Sequence, residues 1–378
     1  MAFSERYVRA DAAGGGDGTT NSNSGATGAF TLAEAITHST SNTGIRYNVL
    51  VGTYTFTTTS HTFSGAGTAT AANWWRGFNT TIGDCDTDFT LTRPEFSYTT
   101  GQVTFSGANQ IVSSIKVTSQ CTTTNGAVNV TARPVRFYNC HFENTADHVA
   151  ARAFTFNSGS NDCSANACYF KSTTTANCVQ MSTNCYMHGC VVEGGNFGLS
   201  SAAVAGIAFC LFKGHGNHGI QVSQAISAHN CTFYGAAVAG IDGIRCTNGS
   251  AAIVVSNCIF SEYGGYGVNQ SSGTNCNCAQ LTNNAYYNCT GGQTNGITEA
   301  QQFGAVALSG DPFVNKSSGD FDLNGTGGGA KEAGFPGVFP GVASTRGYLS
   351  IGASQPQSSS SGGGFVPTLP GLTGMGVF

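Results

Sequence analysis

One short string recurs through the middle of this chain and confines it to very few folds. Asn139-Cys140-His141-Phe142, Ala167-Cys168-Tyr169-Phe170, Gly189-Cys190-Val191-Val192, Phe209-Cys210-Leu211-Phe212, Asn230-Cys231-Thr232-Phe233 and Asn257-Cys258-Ile259-Phe260 share one pattern. Ser114-Ile115-Lys116-Val117 reads as an earlier copy with Ile in the Cys slot, and Asn284-Ala285-Tyr286-Tyr287 as a later one with Ala there. Successive slots are 25, 28, 22, 20, 21, 27 and 27 residues apart. Units of that length cannot bury an apolar face alone and must stack, so the chain is expected to be a solenoid.

Within each copy the alternation has period 2, the mark of a strand with one face inward. A second strand follows, as in Phe154-Thr155-Phe156, Val179-Gln180-Met181, Leu199-Ser200-Ser201, Ile220-Gln221-Val222, Ile244-Arg245-Cys246 and Val268-Asn269-Gln270. A third leads into the next cysteine, as in Ala225-Ile226-Ser227 and Ile253-Val254-Val255. Strands without helical periodicity between them, in units of this length, describe an all-β parallel β-helix. Composition agrees: 53 glycines among 378 residues serve tight turns, while 25 Phe and 13 Tyr exclude a disordered chain. Only 9% of residues are charged and the net charge is −4, which excludes an electrostatic nucleic-acid binder. No apolar run reaches the roughly 18 residues of a membrane span. The segments expected are an opening and capping segment (1–60), coils (61–300), a closing segment (301–355) and a tail (356–378).

The Cys column has two readings. A redox or metal site would need converging side chains. Stacked coils instead place equivalent residues about 4.8 Å apart with parallel Cα–Cβ vectors, whereas a disulfide wants Cβ atoms about 3.8 Å apart. The column is therefore read as buried small hydrophobes, interchangeable with Ile115 and Ala285. Cys276, Cys278 and Cys289 lack the paired spacing of a zinc site. The next outward column, Glu143, Lys171, Glu193, Lys213, alternates in sign and reads as a charge ladder between coils.

At both ends the chain resembles the right-handed parallel β-helices of the pectin-lyase-like superfamily. The opening resemblance lies in Tyr7-Val8-Arg9-Ala10-Asp11, Gly14 to Gly18, Phe30 to Ile36 and Gly52-Thr53-Tyr54. Thr31 and Glu34 form a capping box there, so a short helix is expected to plug the solenoid. Gly310-Asp311-Pro312-Phe313, Gly319-Asp320-Phe321-Asp322-Leu323 and Leu349-Ser350-Ile351-Gly352 resemble the closing segment. The resemblance covers roughly residues 6–355. It implies the fold and leaves function open, because this architecture hosts lyases, hydrolases, adhesins and structural proteins.

Polygalacturonase-like hydrolases carry Asn-x-Asp, Asp-Asp, His-Gly and Arg-x-Lys motifs. This chain has no Asp-Asp and no Arg-x-Lys. His215-Gly216 and His218-Gly219 match one motif, and with Asp242 and Arg245 on the next coil they make the best catalytic constellation available. The bland reading is turn and face residues on a polar surface, and no complete catalytic motif is present. Asp84, Asp86 and Asp88 are the densest acids and the only metal candidates, but lack the glycine and distal Glu of a calcium loop. No cofactor is expected. Trp74-Trp75 could stack on sugar or fill the core. The column Thr155, Gln180, Ser200, Gln221, Arg245, Asn269 reads as an outward polar face able to meet a surface glycan.

After Arg346 the chain carries no charge. A flexible Ser/Gly linker, 356–364, leads to an apolar, Pro- and Gly-broken segment that cannot be a helix. Phe365, Val366, Leu369, Leu372, Met375, Val377 and Phe378 are its docking candidates. A charge-poor rod with such a tail, whose first residues lack a secretory h-region, suits a phage virion assembled in the host cytoplasm. The part would be a spike, fibre or capsid decoration, with other virion subunits or further copies of itself as partners. The alternative is a polysaccharide lyase or hydrolase, or a glycan-binding β-helix, outside the cell or at its surface.

Overall fold

In a computed structural model the protein is all-β, a right-handed parallel β-helix built from three long sheets. The structure describes residues 3–58, 60–157, 159–173, 175–201, 204–271, 278–298, 301–324, 330 and 352. The tail candidates Phe365, Val366, Leu369, Leu372, Met375, Val377 and Phe378 lie outside these residues, as does Cys276. The chain falls into two compact units, one through Tyr186 and one from Met187. No described helix is long and apolar enough to cross a membrane.

In the unit through Tyr186, the first sheet stacks Ser4–Val8, Ile45–Leu50, Asn73–Phe78, Gln110–Ser113, Val135–Tyr138 and Ser164–Asn166, all parallel. The second stacks Thr53–Phe56, Glu95–Tyr98, Lys116–Ser119, His141–Asn144 and Tyr169–Ser172. The third stacks His61–Phe63, Val103–Phe105, Val128–Val130, Phe154–Phe156 and Val179–Met181. The helix Leu32–Ser39 carries the expected capping box, with Thr31 and Glu34 satisfying each other's N–H groups, and its Leu32 and Ala35 are buried. Trp75 is buried under Tyr47 and Phe63. Trp74 lies outward, stacked against Arg46 and Arg76.

In the unit from Met187, the first sheet holds Ala205–Ala208, Ile226–His229, Ala252–Ser256, Cys278–Thr282 and Gln302–Phe303. The second holds Val191–Gly194, Leu211–Lys213, Thr232–Tyr234, Ile259–Ser261, Ala285–Tyr287 and Val306–Ala307. The third holds Leu199–Ser201, Ile220–Val222, Ile244–Cys246, Tyr266–Gln270 and Gly292–Asn295. The hairpin Phe313–Asn315 and Asp320–Leu323 belongs to this unit. Its Phe313 and Phe321 pack with Leu308 over Leu211, Ile259 and Ala285. Lys316 pins this cover: it binds Glu262, lies 2.6 Å from Asp311, and sits 5.7 Å from the ring centres of both Tyr234 and Tyr287. Leu211 and Ile259 follow the Cys slot, where alternation alone marks a residue as outward, whereas the sequence pattern places Ala285 in the slot itself.

The Cys slot does more than fill space. The residue before it is left-handed at Ser114, Asn139, Ala167, Gly189, Phe209, Asn230, Asn257 and Asn283, turning the chain from the first sheet into the second. Asparagine tolerates that conformation best among residues with a side chain. At the corners of Cys210, Cys231 and Cys258 the slot's own N–H leaves the backbone ladder and is taken up by the slot side chain of the next coil. Cys210 donates to Cys231 Sγ at 3.5 Å, and Cys231 to Cys258 Sγ at 3.4 Å. Each thiol donates in turn to the carbonyl two residues back, Ala208, His229 and Ser256 respectively.

Cys258 then donates its N–H to Asn284 Oδ1 at 2.9 Å. Asn284 is therefore the slot residue, and the reading of Ala285 there is corrected. Ile259 pairs in register with Ala285, which moves the slot one residue back and makes the last step 26 rather than 27. Periodicity could not tell these two apart because both are small. The hydrogen bond does, and it shows that a polar side chain suits the slot. Ile115 does sit in the slot, since Lys116 pairs with His141. Cys140 and Cys231 form no disulfide, and burial pushes their thiols well above the usual range, which leaves them uncharged.

Candidate functional site

The structure brings the four catalytic candidates into one cluster beside the third sheet of the unit from Met187. Gly219 runs into the strand Ile220–Val222, which carries the His215–His218 turn, and Gly243 runs into Ile244–Cys246, which carries Asp242 and Arg245. His218 Nδ1 accepts the backbone N–H of Asp242 at 2.9 Å, and its Nε2 lies 2.7 Å from Arg245 Nη1. Phe197 stacks on the ring, 5.7 Å away and tilted by 6°. Asp242 Oδ1 accepts the Tyr266 N–H and Oδ2 the Asn269 amide, both at 2.8 Å. Asn295 continues the chain of amides by donating to Asn269 at 3.0 Å. Gly265 is required here, because a Cβ on it would come within 2.4 Å of Asp242 Oδ1.

His215 joins through Tyr263, whose hydroxyl lies 3.1 Å from its Nε2. Its Nδ1 is buried and unpartnered. Burial, and secondarily His218, lower the His215 pKa to about 3. Burial lowers that of His218 to about 4; Asp242 opposes the shift and Arg245 adds to it. Burial also pushes the Tyr263 hydroxyl well above its usual range.

This arrangement holds a neutral histidine. Donors face both nitrogens of His218; the neutral ring keeps one lone pair to accept from them and the charged ring keeps none, so charging it is disfavoured. Its Nδ1 lone pair is already taken by a backbone amide. His218, Asp242 and His215 are each at most 4% exposed, so a bound sugar cannot reach their polar atoms. Only the half-buried Arg245 reaches the outward column. There it pairs in register with Gln221 and Asn269, and donates from Nε to Ser271 Oγ at 3.1 Å. Thr155, taken as outward in that column, is 4% exposed, as is its neighbour Asn129.

Asp84, Asp86 and Asp88 do not converge. Asp84 accepts the N–H groups of Asn79, Thr80 and Thr81. Burial works against its charge, but those N–H groups outweigh it and hold the carboxyl well below the usual range. Asp86 binds Arg76 at 2.6 Å and Ser114 at 2.7 Å. Asp88 closes a turn on Thr90. Among the described residues no group of three or more His, Cys, Asp or Glu could hold a metal ion. One constellation passed unnoticed in the sequence: Ser227, His229 and Ser256 bond to one another on the first sheet. Ser227-Ala228-His229 places the first two on one face by period 2, but only the coil register brings in Ser256.

No family model matches the chain and no curated protein matches it. Among solved structures it is similar to the pectate lyase Pel9A, with a TM-score of 0.58 and 13% identity over 94% of this chain and 98% of that one. The likeness is one of fold. An alginate lyase from Paenibacillus sp. str. FPU-7 aligns with a TM-score of 0.44 and 12% identity, covering 71% of this chain and 96% of that one. ORF18 of Geobacillus virus E2 aligns with a TM-score of 0.39 and 14% identity, covering 81% of this chain and 62% of that one.

Proposed function

We propose that the protein is a structural or adhesive component of a larger assembly: a phage virion surface protein (decoration, fibre or spike), held by its C-terminal tail. One observation carries the structural part of this reading. Of the six acids between Asn139 and Thr290, five are engaged by neighbours: Glu143 by Lys171, Asp147 by Thr175, Glu193 by Lys213, Asp242 by Tyr266 and Asn269, and Glu262 by Lys316. Carboxylate chemistry on sugars needs a pair facing one bond, and these carboxylates hold coils instead. The anchoring part rests on sequence, on an apolar segment behind a flexible linker. Such a segment invites aggregation unless a partner covers it.

The test compares full-length protein with a chain ended after Gln355, by light scattering and by pull-down from the native source. Loss of association in a still-folded shorter chain supports the reading; unchanged association removes it. A second reading, glycan binding or cleavage, is favoured by the polar column Gln180, Ser200, Gln221, Arg245 and Asn269 and by the fold shared with a pectate lyase. Polysaccharide shortened on incubation, and spared by Arg245→Gln, the one member of the cluster that reaches the outward column, would establish it.

A further inference from the structure

We propose that Ser227, His229 and Ser256 form a hydrolytic site for small carboxylic esters, with Ser227 as nucleophile, His229 as general base and Ser256 as the residue that positions the ring. Ser227 and His229 stand two apart on Ile226–His229 and so share its outer face. His229 pairs in register with Ser256 on the next coil. Ser227 Oγ lies 2.6 Å from His229 Nε2, and Ser256 Oγ lies 2.5 Å from His229 Nδ1. A neutral ring has one N–H and one lone pair, so one serine must donate and the other accept. A nucleophile bonded to a base that a third group orients is the geometry of an activated serine.

All three side chains are half-buried on an outward face, unlike the sealed His215 and His218. Burial lowers the His229 pKa, which keeps its lone pair available at neutral pH. The assignment of roles follows from the flanks. Ser227 pairs with Gly206 and His229 with Ala208, so no bulky side chain stands over them on that side. Ser256 faces Thr282 on its far side. Gly206 and Ala208 leave room on their side for an acyl group of acetyl size, while Val254 pairs with Ser227 on the other.

The step balances without another reactant than water. Ser227 Oγ attacks the ester carbonyl carbon while its proton passes to His229 Nε2. His229 returns that proton to the departing alkoxide, and the acyl–serine bond then hydrolyses to carboxylic acid and free Ser227. General-base assistance of this kind is worth about 10²- to 10⁴-fold.

The test treats full-length protein with a fluorophosphonate probe and maps the label by mass spectrometry, alongside p-nitrophenyl acetate hydrolysis. Label on Ser227 of the unaltered chain, with hydrolysis falling about 100-fold or more in Ser227→Ala and in His229→Gln, supports the site. Ser256→Ala should lower the rate and Ser256→Thr restore it, which a merely structural serine would not require. Label on Ser256 overturns the assignment of the nucleophile. No label on either serine, or hydrolysis indifferent to His229→Gln, overturns the site. Because the label is read on the unaltered chain, a variant that fails to fold does not leave the outcome open.

Discussion

The two units fill the same kind of coil in different ways. In the unit through Tyr186, rings from all three sheets meet inside the coil. Phe137 of the first sheet lies 5.5 Å from Phe142 of the second and 5.1 Å from Phe154 of the third, with ring planes 89° and 88° apart. It also meets Phe105 and Phe156. In the unit from Met187 the rings form a single file on the second sheet. Phe212, Phe233, Phe260 and Tyr286 follow at 5.0, 4.9 and 5.4 Å, with planes within 14° of parallel. Facing positions there are aliphatic, as at Leu199, Ile220, Ile226, Ile244, Ile253 and Val255. Both edge-to-face and offset-parallel pairs suit the ring quadrupole. They differ in what they tie together: the first pattern couples sheets within a coil, the second couples coils along one sheet.

Replacing one ring in each unit tests that difference most strongly. Phe137→Ala and Phe233→Ala each remove a fully buried ring and should cost about 3–5 kcal/mol. Hydrogen exchange should separate them. Loosening from Phe137→Ala is expected to reach strands of all three sheets, among them His141–Asn144 and Phe154–Phe156. Loosening from Phe233→Ala should stay with Leu211–Lys213, Thr232–Tyr234 and Ile259–Ser261. Equal spread in both variants would mean that ring arrangement does not govern coupling.

Acid is the next probe. His215 and His218 titrate near 3 and 4 in the folded protein, against 6.5 for an ordinary histidine. The unfolded chain therefore binds the extra protons. Their contribution is whole above about pH 6.5 and falls as pH drops from there toward 4 and then 3. In the other unit His141 titrates near 4, so the same sign applies there, though on an outward face beside Glu143. His215→Gln leaves an acceptor for Tyr263 and removes one titration. It should narrow the stability difference between pH 7 and pH 4.5 by on the order of 2 kcal/mol. An unchanged acid response would show that His215 takes up its proton at the same pH in the folded and the unfolded chain.

Strand order, coil length and the capping helix were legible because each rests on local pattern: period 2, recurrent turns, Thr31 against Glu34. The catalytic candidates were legible as neighbours, since His215, His218, Asp242 and Arg245 stand on successive coils. Their burial was not, because it depends on Phe197 and Tyr263, which approach from elsewhere in the coils. The cover over Leu211, Ile259 and Ala285 was hidden for the same reason: a hairpin lying on a sheet leaves no periodic trace in it. Register was the weakest inference, as the slip from Asn284 to Ala285 shows.

That slot carries the third prediction. Ile115 and Asn284 occupy equivalent corners in the two units, one without polar atoms and one with two hydrogen bonds, to Cys258 N–H and Val255 C=O. Asn284→Ala should cost about 1–3 kcal/mol by stranding both buried groups. Asn284→Cys, which restores the side chain of neighbouring corners, should recover part of that. Ile115→Ala loses only packing. Urea titrations of these variants and of Asn284→Val decide the matter, and equal recovery by Asn284→Cys and Asn284→Val would reduce the slot to a question of volume.

The smallest effect concerns the outward charge column, where each unit holds one like-arranged pair. Glu193 meets Lys213 at 2.7 Å, with both side chains about a quarter exposed, at 28% and 26%. Glu143 meets Lys171 at 3.4 Å, and that lysine is 44% exposed. Exposed pairs are worth about 0.2–1 kcal/mol, and more solvent around one partner weakens the attraction further. Double-mutant cycles with Glu→Gln and Lys→Met should give a larger coupling for Glu193–Lys213 than for Glu143–Lys171, and both should shrink in about 1 M salt, where the screening length falls to about 3 Å. If instead Glu143–Lys171 couples more strongly, distance and exposure do not set the order. Because His141, 3.5 Å from Glu143, titrates near 4, the Glu143–Lys171 coupling should not move between pH 5 and pH 8. A coupling that grows as the pH is raised over that range would show that His141 is losing a charge there which competes with Lys171 for the carboxylate.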